Sequence, residues 1–427
     1  MVVGRGWWLS TALLGFGAVF AYFMQNGGAG NLPLHAEGIV EPRFDKVRDV
    51  FRQNFVDGWE RGGASFAVFV EGKKVVDIWG GYADRAAMRK WNEDTIAVVF
   101  STTKGVAAVA VALLVDRGLL SYDDLVVKHW PEFGQHGKGN VTVQMMLSHM
   151  AGVPFLDGEV SVEEASSPEI IGRRLAEQKP CWPPGTASGY HVYTYGWLVD
   201  QLIRRVDPGK RSIGQFVKDE LATPYGVDFH IGLALEHAHR VAHLTAPSVG
   251  DRLSEIMTDY RVAKYLKALF KLLSDSYLSR ALFNLPWLDC VHKMTVNNGD
   301  FHSIEQAAAL GIGNARSLAT LFSLLGEGQL VGSATLAQLQ RSTVNSTDLV
   351  MDHAVAKGNG FFMLPLNRAG SKTAIGHTGH GCQQVQLDVA NRVAIAYTTN
   401  ALKTGLADLC RTWRRLQDTV YSIIEEK

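Results

Sequence analysis

The stretch IAVVFSTTKGVAAVAVALLV, residues 96–115, decides the fold because it joins an apolar run to an alanine-rich segment through Ser101-Thr102-Thr103-Lys104. Its spacing predicts a helix from about Lys104 to Arg117, which ends at Gly118. Ser101 and Lys104 are three residues apart, so a helix beginning there places both on one face. The sequence therefore predicts an amine beside a hydroxyl at a helix N-terminus.

This arrangement is suited to making a weak nucleophile reactive. A hydroxyl must lose its proton to a nearby base as it attacks, and a helix N-terminus favours the negative charge that develops. We therefore predict Ser101 as a candidate nucleophile, with Lys104 as base, proton relay or fixed positive charge. The alternative is that Ser101 only caps a buried helix, and partners elsewhere in the chain decide between the two.

The composition is that of an ordinary globular protein. The chain has 427 residues, of which 47% are hydrophobic and 20% are charged, and this balance excludes a disordered or fibrous protein. Lys plus Arg equals Asp plus Glu at 42 each, so no overall positive field attracts nucleic acid. We predict no nucleic-acid partner.

The cysteine and histidine spacing argues against a metal site. The four cysteines are Cys181, Cys290, Cys382 and Cys410. They are widely spaced without a Cys-x-x-Cys pair, so one or two disulfides stay open and their pairing is not assigned. His239 and His243 have the spacing of one helix face, but Arg240 replaces the glutamate of a His-Glu-x-x-His motif. We predict no catalytic metal and no cofactor.

The N-terminal segment predicts a membrane anchor. Gly6 to Met24 is largely apolar and uncharged, and 19 residues of helix are long enough to cross a bilayer of about 30 Å. A cleaved signal peptide is the alternative. Arg5 precedes the segment and the next Lys or Arg is Arg43, which favours a single-pass membrane protein with a lumenal or extracellular main domain. We divide the chain into an anchor with a flexible connection, residues 1–30, and one globular domain, residues 31–427.

Strand patterns lie near both ends of that domain. Residues 65–81 read as a hairpin with a tight turn at Glu71-Gly72-Lys73, and residues 383–388 and 392–399 read as two late strands. Helical periods dominate from about residue 120 to 340. These patterns predict an α+β fold: an antiparallel sheet built from N- and C-terminal segments, with a helical lobe inserted and an N-terminal transmembrane helix added. An active site is then expected where sheet and lobe meet.

Two later segments offer partners for the serine. Tyr190 follows a Pro-Pro-Gly loop, and an adjacent ammonium would lower the pKa of its phenol and suit it as a general base. The alternative is a tyrosine that only packs against the loop. His377-Thr378-Gly379-His380-Gly381 stands before the strand at 383–388, where the backbone can approach a ligand closely. A backbone N–H there, with that of Ser101, would bind an oxyanion.

Taken in order, these motifs resemble the serine β-lactamase and penicillin-binding protein superfamily. The shared pattern is Ser-x-x-Lys, a tyrosine followed by glycine six positions later, and a basic residue-Thr-Gly before a late strand. Residues 141–154, 184–186 and 314–319 are similar to segments of its class C and esterase branch. With the N-terminal segment, the chain looks most like animal β-lactamase domain-containing proteins. The resemblance implies a β-lactamase/transpeptidase-like fold for residues 31–427.

The resemblance also implies a role for each motif. It makes Ser101 the acyl-ester nucleophile, Lys104 its proton partner and Tyr190 the general base. It makes His377, Thr378 and Gly379 the strand that lines the cleft. The backbone N–H groups of Ser101 and His380 would form the oxyanion hole.

Two departures from the bacterial pattern bear on the substrate. Bacterial members usually have lysine at the position of His377, and a mostly neutral histidine holds an anionic substrate less well. Val192 stands where many relatives have an asparagine that bonds an amide. We therefore predict a membrane-anchored serine hydrolase that transfers an acyl group through Ser101 to water. Its substrate would be a small ester, thioester or amide rather than a β-lactam. The alternative is a catalytically weak or inactive scaffold that self-assembles as a homo-oligomer.

Overall fold

Strands from both ends of the chain form one antiparallel sheet. The computed structural model describes residues 32–291, 293–368 and 371–426. The strands are β1 (Ala36–Val40), β2 (Gly63–Val70), β3 (Lys73–Asp84), β4 (Arg89–Lys90), β5 (Ala97–Val98), β6 (Phe229–Ile231), β7 (Gly311–Gly313), β8 (Val344–Thr347), β9 (Ala354–Gly358), β10 (Phe361–Arg368), β11 (Ser371–Gly379), β12 (Gln383–Asp388) and β13 (Val393–Thr399). The large sheet has the order β1-β3-β2-β13-β12-β11-β10-β9-β8, with β4 on β3, and a small sheet has the order β5-β7-β6.

The junction of β2 and β13 confirms the predicted sheet from both ends of the chain. Ala64 pairs with Thr399 at one end of this ladder and Val70 with Val393 at the other. The predicted hairpin is β2–β3, and its turn uses Gly72 at φ +78°. Positive φ is easy for glycine because it lacks a Cβ.

Helices cover both faces of the sheet and form the inserted lobe. They are α1 (Asp45–Val56), α2 (Thr103–Asp116), α3 (Val126–His129), α4 (Val143–Leu147), α5 (Val162–Ala165), α6 (Pro168–Glu177), α7 (Thr194–Val206), α8 (Ile213–Val217), α9 (Val249–Thr258), α10 (Lys264–Lys271), α11 (Tyr277–Leu282), α12 (Gly299–His302), α13 (Ala315–Gly326), α14 (Ser333–Leu339) and α15 (Arg411–Glu425). On β2, Ser65 accepts a hydrogen bond from Ala315 N of α13 at 3.1 Å, whereas the neighbouring Phe66 packs on Trp413 of α15. Alternate residues of a strand point to opposite faces, so the sheet lies between these two helices.

Helix α2 is buried on all sides. Every residue from Thr103 to Leu114 is buried, which explains why the stretch from Gly105 to Leu114 has no polar face. The helix begins one residue before the predicted Lys104, after a one-turn 3-10 helix at Phe100–Thr102. It therefore runs from the turn that carries Ser101 into the interior and contacts α7, α8 and β11.

The prediction of a transmembrane helix is corrected. The segment Gly6 to Met24 lies outside the described residues. Within the described ranges, no helix is long and apolar enough to cross a membrane. Even α15 has 15 residues and carries Arg411, Arg414 and Arg415, whereas a span needs about 20 mostly apolar residues. The fold class is therefore stated without a transmembrane helix, and single-pass membrane localisation is not supported.

One disulfide forms among the four cysteines. Cys382 and Cys410 are bonded, and Cys181 and Cys290 are free. The bond ties the 3-10 turn His380–Cys382, which follows β11, to the residue before α15. It thus fastens the end of the active-site strand to the C-terminal helix.

Candidate active site

Ser101 sits in the 3-10 turn that leads into α2. Phe100, just before it, has φ +46°, and Thr102 N donates to Val99 O at 3.1 Å. Val99 N in turn donates to Gly311 O, so the small sheet holds the turn in place. Ser101 is partly exposed while its neighbours Phe100 and Thr102 are buried. The turn therefore presents one hydroxyl to solvent from a rigid base.

Lys104 is fully buried directly behind that hydroxyl. Its Nζ lies 3.2 Å from Ser101 Oγ and donates to the backbone carbonyls of Val192, at 2.8 Å, and Ala308, at 2.9 Å. Within the described part of the chain, no carboxylate pairs with this amine. Burial lowers the pKa of Lys104 well below its ordinary value of 10.5, because removing a cation from water disfavours the charged form.

Tyr190 lies against the same amine. Lys104 Nζ is 4.7 Å from the centre of its ring, and the nearby Ser101 side chain favours the ionised phenol and so lowers its pKa in part. Burial raises the pKa of Tyr190 above its ordinary value of 10.0. This reverses the expected direction, because desolvation outweighs any stabilisation of the phenolate and Lys104 itself tends to lose its charge. The phenol therefore keeps its proton at neutral pH.

His377 and Gly379 bring strand β11 against the serine turn. A Cβ at Gly379 would lie 2.8 Å from Thr102 Oγ1 and closer still to the Val99 carbonyl oxygen. Only glycine permits this approach of strand and turn. His377 is 1% exposed and stacks on Phe362 with ring centres 4.1 Å apart. The strand thus forms one wall of the site.

The His377 ring is neutral and its tautomer is fixed. Nδ1 lies 2.7 Å from Thr378 O, and because a carbonyl only accepts, the proton is on Nδ1. Nε2 is then an acceptor, without a hydrogen-bond partner among the described residues. Burial, with smaller contributions from the charges of Lys104 and Lys357, lowers the pKa of His377 to about 3. The position offers an acceptor rather than a positive charge.

The other predicted residues lie around this centre. His380 follows β11, and its ring packs edge-on against Phe100, next to Ser101, with centres 5.3 Å apart. Val192 contributes its carbonyl to Lys104 rather than its side chain. Sequence reasoning missed Ala308, Phe362 and Asp348. Asp348 accepts a hydrogen bond from Tyr190 N at 3.0 Å. No sequence motif marks these residues. Ala308 acts through its backbone carbonyl, and Phe362 and Asp348 contact residues that are far from them in the sequence.

Two cavities elsewhere do not include the serine cluster. One of about 420 Å³ is lined in part by Asn92, Asp228 and Arg316, and one of about 280 Å³ in part by Trp197 and Glu305. Neither has Ser101 or Tyr190 in its wall. The candidate site is therefore defined by the paired groups around Ser101.

The histidine pair weighed as a metal site is not on one helix face. His239 belongs to the 3-10 helix Leu235–Arg240 and bonds Glu236 O, whereas His243 lies beyond that helix. Among residues 32–291, 293–368 and 371–426, no group of three His, Cys, Asp or Glu side chains is placed to hold a metal ion.

Comparison with known proteins adds the family. A sequence model of the family described as Beta-lactamase matches residues 51–419. Esterase/beta-lactamase LipL of Mycobacterium tuberculosis (strain ATCC 25618 / H37Rv) is 38% identical over 212 residues, which are 49% of this chain and 48% of LipL. Esterase EstB of Burkholderia gladioli is 39% identical over 88 residues, 19% of this chain and 22% of EstB. The matches thus span at most about half the length of these relatives.

Solved structures match over most of the chain. A family VIII carboxylesterase superposes with a TM-score of 0.78 and 31% identity, covering 91% of this chain and 100% of its own. A penicillin-binding protein homolog from Caulobacter crescentus has a TM-score of 0.76 and 32% identity over the same shares. The resemblance to the superfamily and its esterase branch is confirmed. The relatives whose organism is named are bacterial, and these matches do not show the class C or animal placement. The chain belongs to the beta-lactamase family.

Proposed function

We propose that this protein is a serine hydrolase that transfers an acyl group from a small ester, thioester or amide to Ser101 and then to water. The observation that carries the proposal is the buried amine of Lys104, 3.2 Å from the Ser101 hydroxyl. Relatives named as an esterase/beta-lactamase and a carboxylesterase support the reaction class. The matched carboxylesterase structure is covered over its whole length, which supports a complete catalytic domain.

Lys104 is the proposed base for acylation. A neutral amine has two N–H groups and one lone pair, and the carbonyls of Val192 and Ala308 accept the two N–H groups. The lone pair then faces the Ser101 hydroxyl and accepts its proton as Oγ attacks the acyl carbonyl carbon. The C=O π bond opens and the oxygen takes the negative charge. The N–H groups of Ser101 and His380 are the proposed donors to that oxygen.

Tyr190 is the proposed proton relay to the leaving group. Its phenol is protonated and lies near Ser101, so it can donate a proton to the departing oxygen, sulfur or nitrogen while recovering one from the Lys104 ammonium. The carbon–heteroatom bond breaks and Ser101 keeps the acyl group. Water then attacks the acyl-enzyme by the same steps in reverse, releasing the acid and restoring the neutral amine.

The wall at His377 favours esters over β-lactams. A β-lactam brings a carboxylate, and the usual lysine at this position supplies a permanent positive charge for it. His377 is neutral, and its unprotonated Nε2 cannot donate a hydrogen bond to an anion. Val192 likewise offers no side-chain amide. We therefore propose a substrate without a carboxylate at this position.

Covalent labelling tests the proposal directly. The chain is treated with a fluorophosphonate, digested and examined by mass spectrometry, with hydrolysis of p-nitrophenyl acetate and of the chromogenic cephalosporin nitrocefin measured in parallel. We expect an adduct on Ser101, ester hydrolysis well above nitrocefin hydrolysis, and loss of both label and hydrolysis in Ser101→Ala. Ser121→Ala, at an exposed turn, is the control that should behave as wild type. Absence of any adduct would refute the enzyme and favour the scaffold alternative, which stays a prediction.

A further inference from the structure

Tyr190 lies in an irregular loop whose backbone is held by a buried carboxylate. Asp348 Oδ1 accepts hydrogen bonds from the backbone N–H groups of Tyr190 at 3.0 Å, Val350 at 2.9 Å and Met351 at 2.8 Å. Asp348 is completely buried. One oxygen therefore links the loop that carries the phenol to the segment between β8 and β9.

The second oxygen of Asp348 is paired with Lys357, a buried lysine on β9. Lys357 Nζ donates to Asp348 Oδ2 and also to Ser188 Oγ at 2.7 Å. Ser188 Oγ passes a hydrogen bond on to Ser148 O at 3.0 Å. The ion pair thus hydrogen-bonds the loop that carries Tyr190 at two points, the Ser188 hydroxyl and the Tyr190 backbone N–H, two residues apart.

Strand β9, which carries Lys357, also supports the side of the site formed by β11. Lys357 pairs in register with Phe362 of β10, and Phe362 stacks on His377. The ring of Tyr190 is 5.9 Å from that of Phe362. The ion pair therefore lies where the tyrosine loop meets the sheet, and it connects to both walls of the serine site.

A buried ion pair is a costly way to stabilise a fold. Removing both charges from water is expensive, and well-packed apolar residues of similar volume are often as stable or more so. Asp348 and Lys357 have side-chain exposures of 0% and 2%, so solvent relieves little of that cost. A directional role explains the pair better than stability does, since a carboxylate can fix a backbone N–H at a defined position and an apolar pair cannot.

We propose that Asp348 and Lys357 are positioning residues that aim the Tyr190 phenol at Ser101 and Lys104. This inference rests on the proposed function, because it gives the pair its effect through a catalytic tyrosine. In the contacts described above, neither Asp348 nor Lys357 touches Ser101 or Lys104. Its loss should therefore lower kcat with little change in KM, and only while Tyr190 has a hydroxyl to aim.

The first experiment compares two double variants of the full chain that both remove the buried charges. Asp348→Asn/Lys357→Met keeps a carbonyl oxygen for Tyr190 N–H, whereas Asp348→Leu/Lys357→Met removes it. With p-nitrophenyl acetate, we expect kcat of the leucine variant to fall at least about 10-fold below that of the asparagine variant, and KM to change less than about 2-fold. In a Tyr190→Phe background the two should have equal kcat. Equal kcat with Tyr190 present, or the same fold loss without its hydroxyl, would overturn the inference.

The second experiment needs no catalysis. Hydrogen–deuterium exchange of a peptide spanning residues 186–193 reports the protection of Tyr190 N–H. We expect faster exchange in the leucine variant than in the asparagine variant. Equal protection of this peptide in the two variants would also overturn the inference. Should the leucine variant not fold, Asp348→Ser/Lys357→Met replaces it, since serine is too short to reach Tyr190 N–H. Full activity in Ser101→Ala would instead refute the proposed function, and the exchange result would still decide the anchoring.

Discussion

Lys104 illustrates at the scale of one residue how burial creates a base. Three polar atoms surround its Nζ, and none of them is a carboxylate. A second buried lysine, Lys138, is built in a similar way: its Nζ donates to the carbonyls of Ala176 and Gln178, and burial lowers its pKa to about 8. The two differ in that only Lys104 has a serine hydroxyl within reach.

That similarity supplies a matched control for the base. Lys104→Met removes a buried amine from two carbonyls beside Ser101, and Lys138→Met does the same without a serine nearby. We expect Lys104→Met to lower kcat/KM for p-nitrophenyl acetate at least about 100-fold, because the hydroxyl loses its proton acceptor. Lys138→Met should keep the rate within about 3-fold wherever it remains folded by circular dichroism. Equal losses in the two variants would refute a specific role for Lys104.

The neutral His377 ring makes stability depend on pH. Its pKa of about 3 lies below the ordinary value of 6.5. Between these values the unfolded chain binds more protons, so the free energy of unfolding falls as the pH falls from about 6.5 toward 3. At about 1.4 kcal/mol per pKa unit, this group alone would remove about 2 to 3 kcal/mol by pH 4.5.

The test is urea unfolding of wild type and His377→Gln at pH 7 and pH 4.5. We expect a smaller loss in the variant, which has no imidazole to protonate. The exposed His239→Gln serves as control and should lose as much stability as wild type. The same loss in all three proteins would contradict a buried neutral His377.

At the scale of elements, the close approach of β11 to the serine turn depends on Gly379. Because a Cβ there meets Val99 and Thr102, Gly379→Ala must push the strand away from the turn. We expect at least a 10-fold loss of kcat for the ester in protein that still unfolds cooperatively. Gly250→Ala, in α9, is the control, since its added Cβ has only an ordinary contact with Ser248 Oγ at 3.7 Å. Wild-type activity in Gly379→Ala would show that the approach is not needed.

At the scale of the whole molecule, the Cys382–Cys410 disulfide joins the active-site strand to the C-terminal helix. It closes a loop between cysteines at a sequence separation of 28, for which the chain-entropy estimate is about 3 to 4 kcal/mol of stabilisation. Cys382→Ala/Cys410→Ala should lower the free energy of unfolding in urea by about that amount. Cys181→Ala, at a free and partly buried cysteine, is the control. A loss no larger than that of the control would show that the disulfide does not stabilise the domain.

Local patterns in the sequence were enough for part of this architecture. The hairpin β2–β3, the late strands β12 and β13 and helix α2 were expected and are present, because each depends on residues close together in the chain. The strands β8 to β10 were not expected, and β11 was expected only at His377 to Gly379, from the resemblance. Pro365 and the glycines at 358, 360 and 376 interrupt their alternation, so only neighbouring strands reveal them.

The sequence by itself determined the serine, lysine, tyrosine and histidine motifs and their order, and hence the family resemblance, while its strand and helix patterns predicted the α+β class. Only the tertiary structure decided their charge states and supports. The reversed pKa direction of Tyr190 and the lowered pKa of Lys104 follow from burial, which no local pattern measures. The contact from Tyr190 to Asp348 joins residues 158 positions apart. Such contacts exist only once the sheet and lobe have packed, because solvent exclusion and long-range closure are properties of the folded chain.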